Sequence, residues 1–137
     1  ALCVMQGLYI HSVYQARTSV IQKHDLLLAA SLGKSMEFFV KPNGSAPVRV
    51  DFHGSVEPES IYPLLPTTTS GASFFQWDGG NPWRIVRYMN MVGYHPLVAV
   101  SDEEHSELEP IYEGMPVRPE RGSIRLLDGI LLVKLSD

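Results

Sequence analysis

The stretch GSIRLLDGILLVKLSD, residues 122–137, carries the clearest structural signal in the chain. Its Asp128-Gly129 pair stands between two runs of β-forming residues, which is the strongest short-range signal for a two-residue β-hairpin. Both turn positions need a positive φ, which glycine adopts freely and aspartate tolerates. The residues expected on the core face of the predicted hairpin are Ile124, Leu126, Ile130 and Leu132, with Val133 as a further candidate. The residues expected toward water are Arg125, Asp128 and Lys134.

A second hairpin is predicted upstream, in MEFFVKPNGSAPVRVDFHG, residues 36–54. The apolar run Met36–Val40 forms its first strand, and the turn residues Pro42–Ser45 follow. The return strand alternates, with apolar side chains at Val48, Val50 and Phe52. The polar side chains between them are Arg49, Asp51 and His53. This alternation predicts that one face of the strand packs and that the other, polar face is wet.

The middle of the chain, FFQWDGGNPWRIVRYMNM at residues 74–91, contains both tryptophans. The pattern predicts a short strand over Phe74–Trp77 and a turn over Asp78–Pro82, with Phe75 and Trp77 on the same side of their strand. A further strand is predicted over Ile85–Met91. The pattern therefore predicts two strands joined by a loop rich in glycine.

Two other segments are predicted to lack regular structure. Pro58, Pro63 and Pro66 indicate a long loop or an edge segment, because proline donates no ladder hydrogen bond. EEHSELEPIYEGMPVRPERG, residues 103–122, is acidic and interrupted by prolines, and it is predicted to be mostly extended.

Only the N-terminal third offers a helix. Residues 6–15 alternate well enough to predict a strand, whereas residues 18–30 fit either a short helix or a strand with its connecting loop. Seven or eight short strands with at most one short helix predict a mainly β fold. The expected architecture is a single β-rich domain over residues 1–137, an antiparallel β-sandwich or β-barrel of jelly-roll-like form.

The composition excludes several classes of protein. The 137 residues carry a formal net charge of −4 and scattered basic residues, so no nucleic-acid partner is expected. No apolar run reaches the ~18 residues that a membrane span requires, so no span is predicted. Cys3 is the only cysteine, which excludes an internal disulfide and thiolate metal clusters. The alanine at position 1 predicts a processed product, such as a piece of a polyprotein, or a fragment of a larger protein.

No catalytic signature, cofactor motif or metal site is predicted. His105 lies among Glu103, Glu104 and Glu107, which are possible metal ligands, but their spacing favours a solvated acidic loop. A hydrolase remains an alternative function, with His11 or His24 acting beside a serine and an acid. The sequence favours a role without catalysis.

The tryptophan loop is the one predicted ligand site. Aromatic side chains that flank a polar loop can stack on a sugar or another flat group, and Asp78 and Asn81 can supply hydrogen bonds. The alternative function is therefore a carbohydrate- or peptide-binding β-sandwich. The predicted ligand-binding residues are Trp77, Asp78, Asn81, Trp83 and Tyr88.

Two stretches resemble strands of picornavirus-like capsid proteins, of the dicistrovirus and iflavirus kind. They are DLLLAASLGKSMEFFVKPNGSAPVRVDFHG, residues 25–54, and ELEPIYEGMPVRPERGSIRLLDGILLVKL, residues 107–135. The resemblance implies a non-enzymatic structural module, a capsid protein or a protruding capsid domain that assembles with copies of itself or with other protein chains. It also implies a location in the virion, and without it the expectation is a soluble protein of unknown location.

Overall fold

The computed structural model describes residues 2–40, 46–58, 73–94 and 96–137, and 51% of it is helical. In chain order its elements are α1 (Leu2–Met36), β1 (Val48–His53), a 3-10 turn (Trp77–Gly79), α2 (Pro82–Met91), β2 (Leu97–Ala99), α3 (Asp102–Glu113), β3 (Ile124–Leu127) and β4 (Ile130–Lys134). The predicted mainly β fold is therefore wrong. The described residues form an α/β structure around one small sheet, and neither a β-sandwich, a β-barrel nor a jelly roll.

The sheet is mixed, with its four strands in the order β2-β1-β4-β3. β1 runs parallel to both of its neighbours, with Val48 beside Leu97 of β2 and Arg49 beside Ile130 of β4. β3 is antiparallel to β4. Parallel neighbours need crossover connections, and α2 supplies the one between β1 and β2. The chain thus winds to one side of β1 and then returns to its other side.

The C-terminal hairpin is confirmed. Asp128 has a φ of 47° and Gly129 a φ of 80°, as the predicted two-residue turn requires. The prediction for its faces was partly wrong, because Lys134 is buried whereas Leu126 is 53% exposed. The reason is that β4 lies inside the sheet and is covered on both faces. Leu126 instead lies on the edge strand β3.

Two apolar clusters cover opposite faces of the sheet. Val50 and Phe52 of β1 belong to the larger cluster, on the side that we call the α1/α2 face. The other members that α1, α2 and β4 contribute are Ala29, Leu32, Met36, Ile85, Val86, Tyr88, Met89, Leu131 and Val133. The smaller cluster, on the α3 face, consists of Val100, Leu108, Tyr112, Met115, Ile130 and Leu132. Alternate residues of β1 and β4 therefore enter different environments.

The helix α1 replaces the strand that was predicted over residues 6–15. Its C-terminal half buries Ile21, Ala29, Leu32 and Met36, whose spacing matches helical turns. Its N-terminal half shows no such stripe, and the large apolar side chains exposed there are Val4, Met5, Leu8, Tyr9, Ile10 and Tyr14. Apolar residues lie on every side of this part of the helix, so the sequence shows no helical stripe. Its alternation of apolar and polar residues therefore resembled a strand. No helix in the described ranges has the length and hydropathy to cross a membrane.

The helix α2 replaces the strand predicted over Ile85–Met91. Asn81 caps its N-terminus, and Pro82 occupies its first position, where a missing N–H costs nothing. Four residues of this helix are buried on one side, namely Ile85, Val86, Tyr88 and Met89. Their i, i+3 and i+4 spacing is helical, and the Asn-Pro start was a helix signal read as a turn.

The helix α3 lies within the segment that was predicted to be extended. Ser101 and Glu104 form a capping box at its start, and Leu108 and Tyr112 bury one face at i, i+4 spacing. Pro110 is inside the helix near its end. The prediction gave too much weight to this proline and too little to the Ser-x-x-Glu signal.

The upstream hairpin prediction is half right. β1 exists with Val50 and Phe52 buried as expected, but Met36 ends α1, so no strand covers residues 36–40. The predicted turn at residues 42–45 and the prolines at 63 and 66 lie outside the described residues. Phe74–Trp77 is a turn leading into a 3-10 helix, in which Phe75 is buried and Trp77 is exposed.

Candidate functional site

A fully buried carboxylate lies at the centre of the α3 face. Asp51 of β1 is 0% exposed, contrary to the wet face predicted for it. The Nδ1 atom of His105 lies 2.8 Å from its Oδ1 and 2.9 Å from its Oδ2. The Tyr112 hydroxyl donates a hydrogen bond of 3.0 Å to Oδ2. These contacts from α3 offset the high cost of removing a carboxylate from water.

The partners of Asp51 have defined protonation roles. Burial, followed by the charge of Asp51, raises the pKa of Tyr112 above its usual value, so the phenol stays protonated and acts as a donor. Since a carboxylate only accepts hydrogen bonds, the proton of a neutral His105 ring belongs on Nδ1. The Nε2 atom is then the ring nitrogen that can accept a proton.

Two further basic side chains, His53 and Lys134, lie near this pair. The His53 ring stacks on Tyr112 with a centroid distance of 4.6 Å and lies 6.3 Å from the His105 ring. Burial, then the charges of His105 and Lys134, lower the pKa of His53. The buried Lys134 Nζ donates to the carbonyls of Tyr112 and Met115, which lie at the C-terminal end of α3, where a cation is favourable.

A cavity of about 470 Å³ opens beside Asp51 and His105. Its lining comes from the carboxyl ends of β1 and β2 and from the starts of α2 and α3; the residues are Asp51, Asn81, Pro82, Trp83, Val100, Ser101, Asp102, Glu103 and His105. In open α/β sheets, ligands bind outside the carboxyl ends of the strands, where the chain reverses its direction of winding. The cavity shares the first of these features, because it lies at the carboxyl ends of β1 and β2, and none of its lining residues belongs to β4 on the other side of β1.

The two helix starts at the cavity are held by their own caps. Asn81 Oδ1 accepts hydrogen bonds from the backbone N–H groups of Trp83 and Arg84, at 3.0 and 3.3 Å. Ser101 Oγ accepts one from Glu104 N–H at 3.3 Å, and the Glu104 carboxylate accepts one from Ser101 N–H at 3.1 Å. These contacts fix the lining of the cavity and occupy N–H groups that could otherwise bind an anion.

A salt bridge ties the start of α3 to the sheet. The Arg49 guanidinium of β1 pairs with Glu104. This hydrogen bond is the main reason that the pKa of Glu104 is lowered. Glu104 is therefore a positioning group with its charge already satisfied.

The structure separates the five predicted ligand-binding residues. Asn81 and Trp83 line the cavity. Trp77 carries the Arg84 guanidinium 4.1 Å above its ring, and Arg84 Nε donates to Asp78 at 2.8 Å. Tyr88 is buried and stacks on Phe74 with a centroid distance of 4.6 Å. Two of the five thus reach the cavity, and ligand contact by this set stays a prediction.

The residues considered for a hydrolase form a different arrangement. Ser73 Oγ donates to Asp25 Oδ1 at 2.5 Å, and His24 Nδ1 lies 3.3 Å from the same oxygen. Ser73 is fully buried, and its hydroxyl is bound to the carboxylate and not to the imidazole. Acyl transfer needs a serine that gives its proton to a histidine base. The Asp25 carboxylate also accepts the Phe74 N–H at 2.9 Å, so it anchors residues 73–74 to α1.

The acidic residues near His105 do not form a metal centre. Within the described ranges, no group of three or more His, Cys, Asp or Glu residues is placed to hold a metal ion. Glu104 faces Arg49, and His105 faces Asp51.

Asp51 and His105 were missed by sequence reasoning as members of one site. In the structure Asp51 stands between the buried Val50 and Phe52 of a parallel strand, where a carboxylate is unusual, but in the sequence it looked like one polar member of an alternating pattern. Comparison of the chain with protein-family models, with curated proteins and with solved structures gave no match.

Proposed function

We propose that the chain carries an acid–base catalytic site, in which His105 transfers a proton and Asp51 positions the ring. One observation carries this proposal. A carboxylate that is 0% exposed contacts Nδ1 of a histidine through both oxygens, and both residues line the same cavity. The buried side of the imidazole is thereby fixed, and the other ring nitrogen is left for a ligand.

The arrangement has the parts that proton transfer requires. Nε2 accepts a proton from a group bound in the cavity, and the imidazolium that forms is stabilised by the Asp51 carboxylate against Nδ1–H. The Tyr112 hydroxyl donates a second hydrogen bond to the carboxylate, at Oδ2, and helps to hold it in place. Positioned acids and bases of this type contribute about 10²–10⁴-fold to a reaction rate.

The partial exposure of the ring also supports this function. The His105 side chain is 28% exposed, whereas Asp51 is 0% exposed. A ligand can therefore reach the histidine without reaching the carboxylate. This is the order of groups in which an orienting acid lies behind a histidine base.

The first test measures the ring itself. The ¹⁵N spectrum of imidazole-labelled protein at neutral pH is expected to show His105 with its proton on Nδ1. In Asp51→Asn, the amide can donate to Nδ1, and the proton is expected to move to Nε2. A wild-type His105 that carries its proton on Nε2 contradicts the proposal, and this measurement does not depend on a variant that folds.

The second test measures reactivity. Nitrophenyl acetate is a simple probe, because unprotonated imidazole nitrogen promotes its hydrolysis. His105→Gln and Asp51→Asn are each expected to lower the protein-dependent rate at least ~10-fold. His11→Gln, which changes an exposed histidine of α1, is the matched control and should keep the wild-type rate. Equal rates for His105→Gln and His11→Gln would reject the assignment.

A further inference from the structure

The cavity offers an open aromatic face. Trp83 is 65% exposed and lines the cavity. Among the described residues no ring or guanidinium stacks on it, whereas Arg84 occupies the face of Trp77 at 4.1 Å. The face of a tryptophan attracts cations through its quadrupole, and Trp is the best of the aromatic residues for this. The chain thus already uses one tryptophan for its own cation and leaves the other uncovered.

The aspartate and glutamate side chains that line the cavity are not balanced by a lysine or an arginine in its lining. The nine lining residues include the carboxylates of Asp51, Asp102 and Glu103, and they include neither lysine nor arginine. In the described part of the chain, Asp102 and Glu103 form no salt bridge, while the nearby Glu104 is neutralised by Arg49. The cavity therefore favours a positive ligand and repels a phosphate or carboxylate.

Anion binding at the helix starts is disfavoured for a second reason. The N–H groups of Trp83 and Arg84 in α2 are bonded to Asn81, and the N–H group of Glu104 in α3 is bonded to Ser101. A phosphate at either helix start would compete with these caps and would approach the carboxylates of Asp102 and Glu103. Both the hydrogen bonds and the charge thus select against it.

We propose that the cavity binds an organic cation, an amine or quaternary ammonium group attached to a small apolar body. The cation lies over Trp83 and between the carboxylates of Asp102 and Glu103. This inference rests on the proposed function in one respect only, namely that the bound molecule lies beside His105, the proposed proton-transfer group. Recognition by an aromatic ring together with carboxylates is the usual chemistry for ammonium ligands.

A matched series of probes tests the charge preference. Benzyltrimethylammonium, benzyl alcohol and benzoate share one ring and differ in charge, and their binding is measured by isothermal titration calorimetry. The cation is expected to bind at least tenfold more tightly than benzyl alcohol, and benzoate more weakly still. Raising the salt concentration should weaken only the binding of the cation.

Variants then test the residues. Trp83→Leu and the double change Asp102→Asn with Glu103→Gln are each expected to weaken cation binding at least tenfold. Trp77→Phe is the control and should bind like the wild type. Equal affinity for the cation and the alcohol, no binding of the cation, or cation binding that both variants retain overturns the inference.

Each of the two proposals can be disproved while the other still holds. If benzyl alcohol binds as well as the cation while the His105→Gln rate effect persists, the ligand class is wrong and the acid–base site stands. If the cation binds as expected while His105→Gln hydrolyses nitrophenyl acetate like His11→Gln, the cavity is a cation site without proton transfer.

Discussion

At its centre, β1 buries side chains of opposite chemistry on its two faces. Val50, Asp51 and Phe52 are consecutive and each is 0% exposed. Val50 and Phe52 enter the α1/α2 face, where their neighbours are apolar. Asp51 enters the α3 face and is bound to His105 and Tyr112. Burial alone therefore does not distinguish a packing residue from a functional one, and the chemistry of the contacts does.

The two faces also differ in how they stabilise the chain. The α1/α2 face relies on burial of apolar surface, which is non-directional and grows with the area removed from water. The α3 face combines a smaller apolar cluster with hydrogen bonds of fixed geometry around one carboxylate, and these bonds hold the His105 ring and the Tyr112 hydroxyl in place. We expect substitutions on the first face to change mainly stability, and substitutions of Asp51 and His105 on the second face to change reactivity as well.

The largest effect is expected on the apolar face. Phe52→Ala removes a large, fully buried side chain and should lower the free energy of unfolding by about 3–5 kcal/mol, measured by urea denaturation. In the fraction that stays folded, His105 should keep its proton on Nδ1. Phe38→Ala is the control, because Phe38 is 86% exposed and its loss should change stability by less than about 0.5 kcal/mol. Similar losses for both variants would refute the assignment of Phe52 to the core.

An intermediate effect is expected where the α3 face begins. Ser101→Ala removes the cap of α3 and should cost about 1 kcal/mol in urea denaturation, within a typical range of 0.5–2 kcal/mol. Ser106→Ala is the matched control in the same helix. Ser106 is exposed, and among the described residues its hydroxyl bonds only to the Asp102 carbonyl. Because alanine is the better helix former, no loss of stability is expected there. If the two changes cost the same, the capping box does not stabilise α3.

The parts of the fold that could be predicted from the sequence are those that have a local signal. The Asp128-Gly129 turn and the apolar alternation in β1 are local signals, and both led to correct strands. Local helix signals existed too, in Asn81-Pro82 and in Ser101-x-x-Glu104. They were outweighed by nearby prolines and glycines, which led to the wrong fold class.

The candidate site was harder to predict because its parts are remote in sequence. Asp51 and His105 are 54 positions apart, and they meet only through parallel pairing and the placement of α3 on one face. No local pattern specifies such a contact. Asn81 and Trp83, in contrast, belong to the ligand site that the sequence predicts, since an aromatic residue next to a glycine-rich loop is a local pattern, and both line the cavity.

The smallest effect is a dependence of stability on pH that arises on the α3 face. Burial, then the charges of His105 and Lys134, hold the pKa of His53 below its ordinary value of 6.5. As the pH falls below 6.5, the unfolded chain binds a proton at this residue before the folded chain does. The free energy of unfolding should therefore decrease until the pH reaches the lowered pKa of the folded state.

The variant His53→Gln isolates this effect. The unfolding free energies of wild type and variant are measured in urea at several pH values. Their difference should be constant above pH 6.5, and below pH 6.5 the wild type should lose more stability than the variant. Because His53 is partly exposed, solvent screens its neighbours and the shift is expected to be smaller than the loss caused by Ser101→Ala. A difference that is independent of pH would mean that His53 titrates alike in both states. That result would contradict the expectation that the nearby His105 and Lys134 make a positive charge on His53 unfavourable in the folded state.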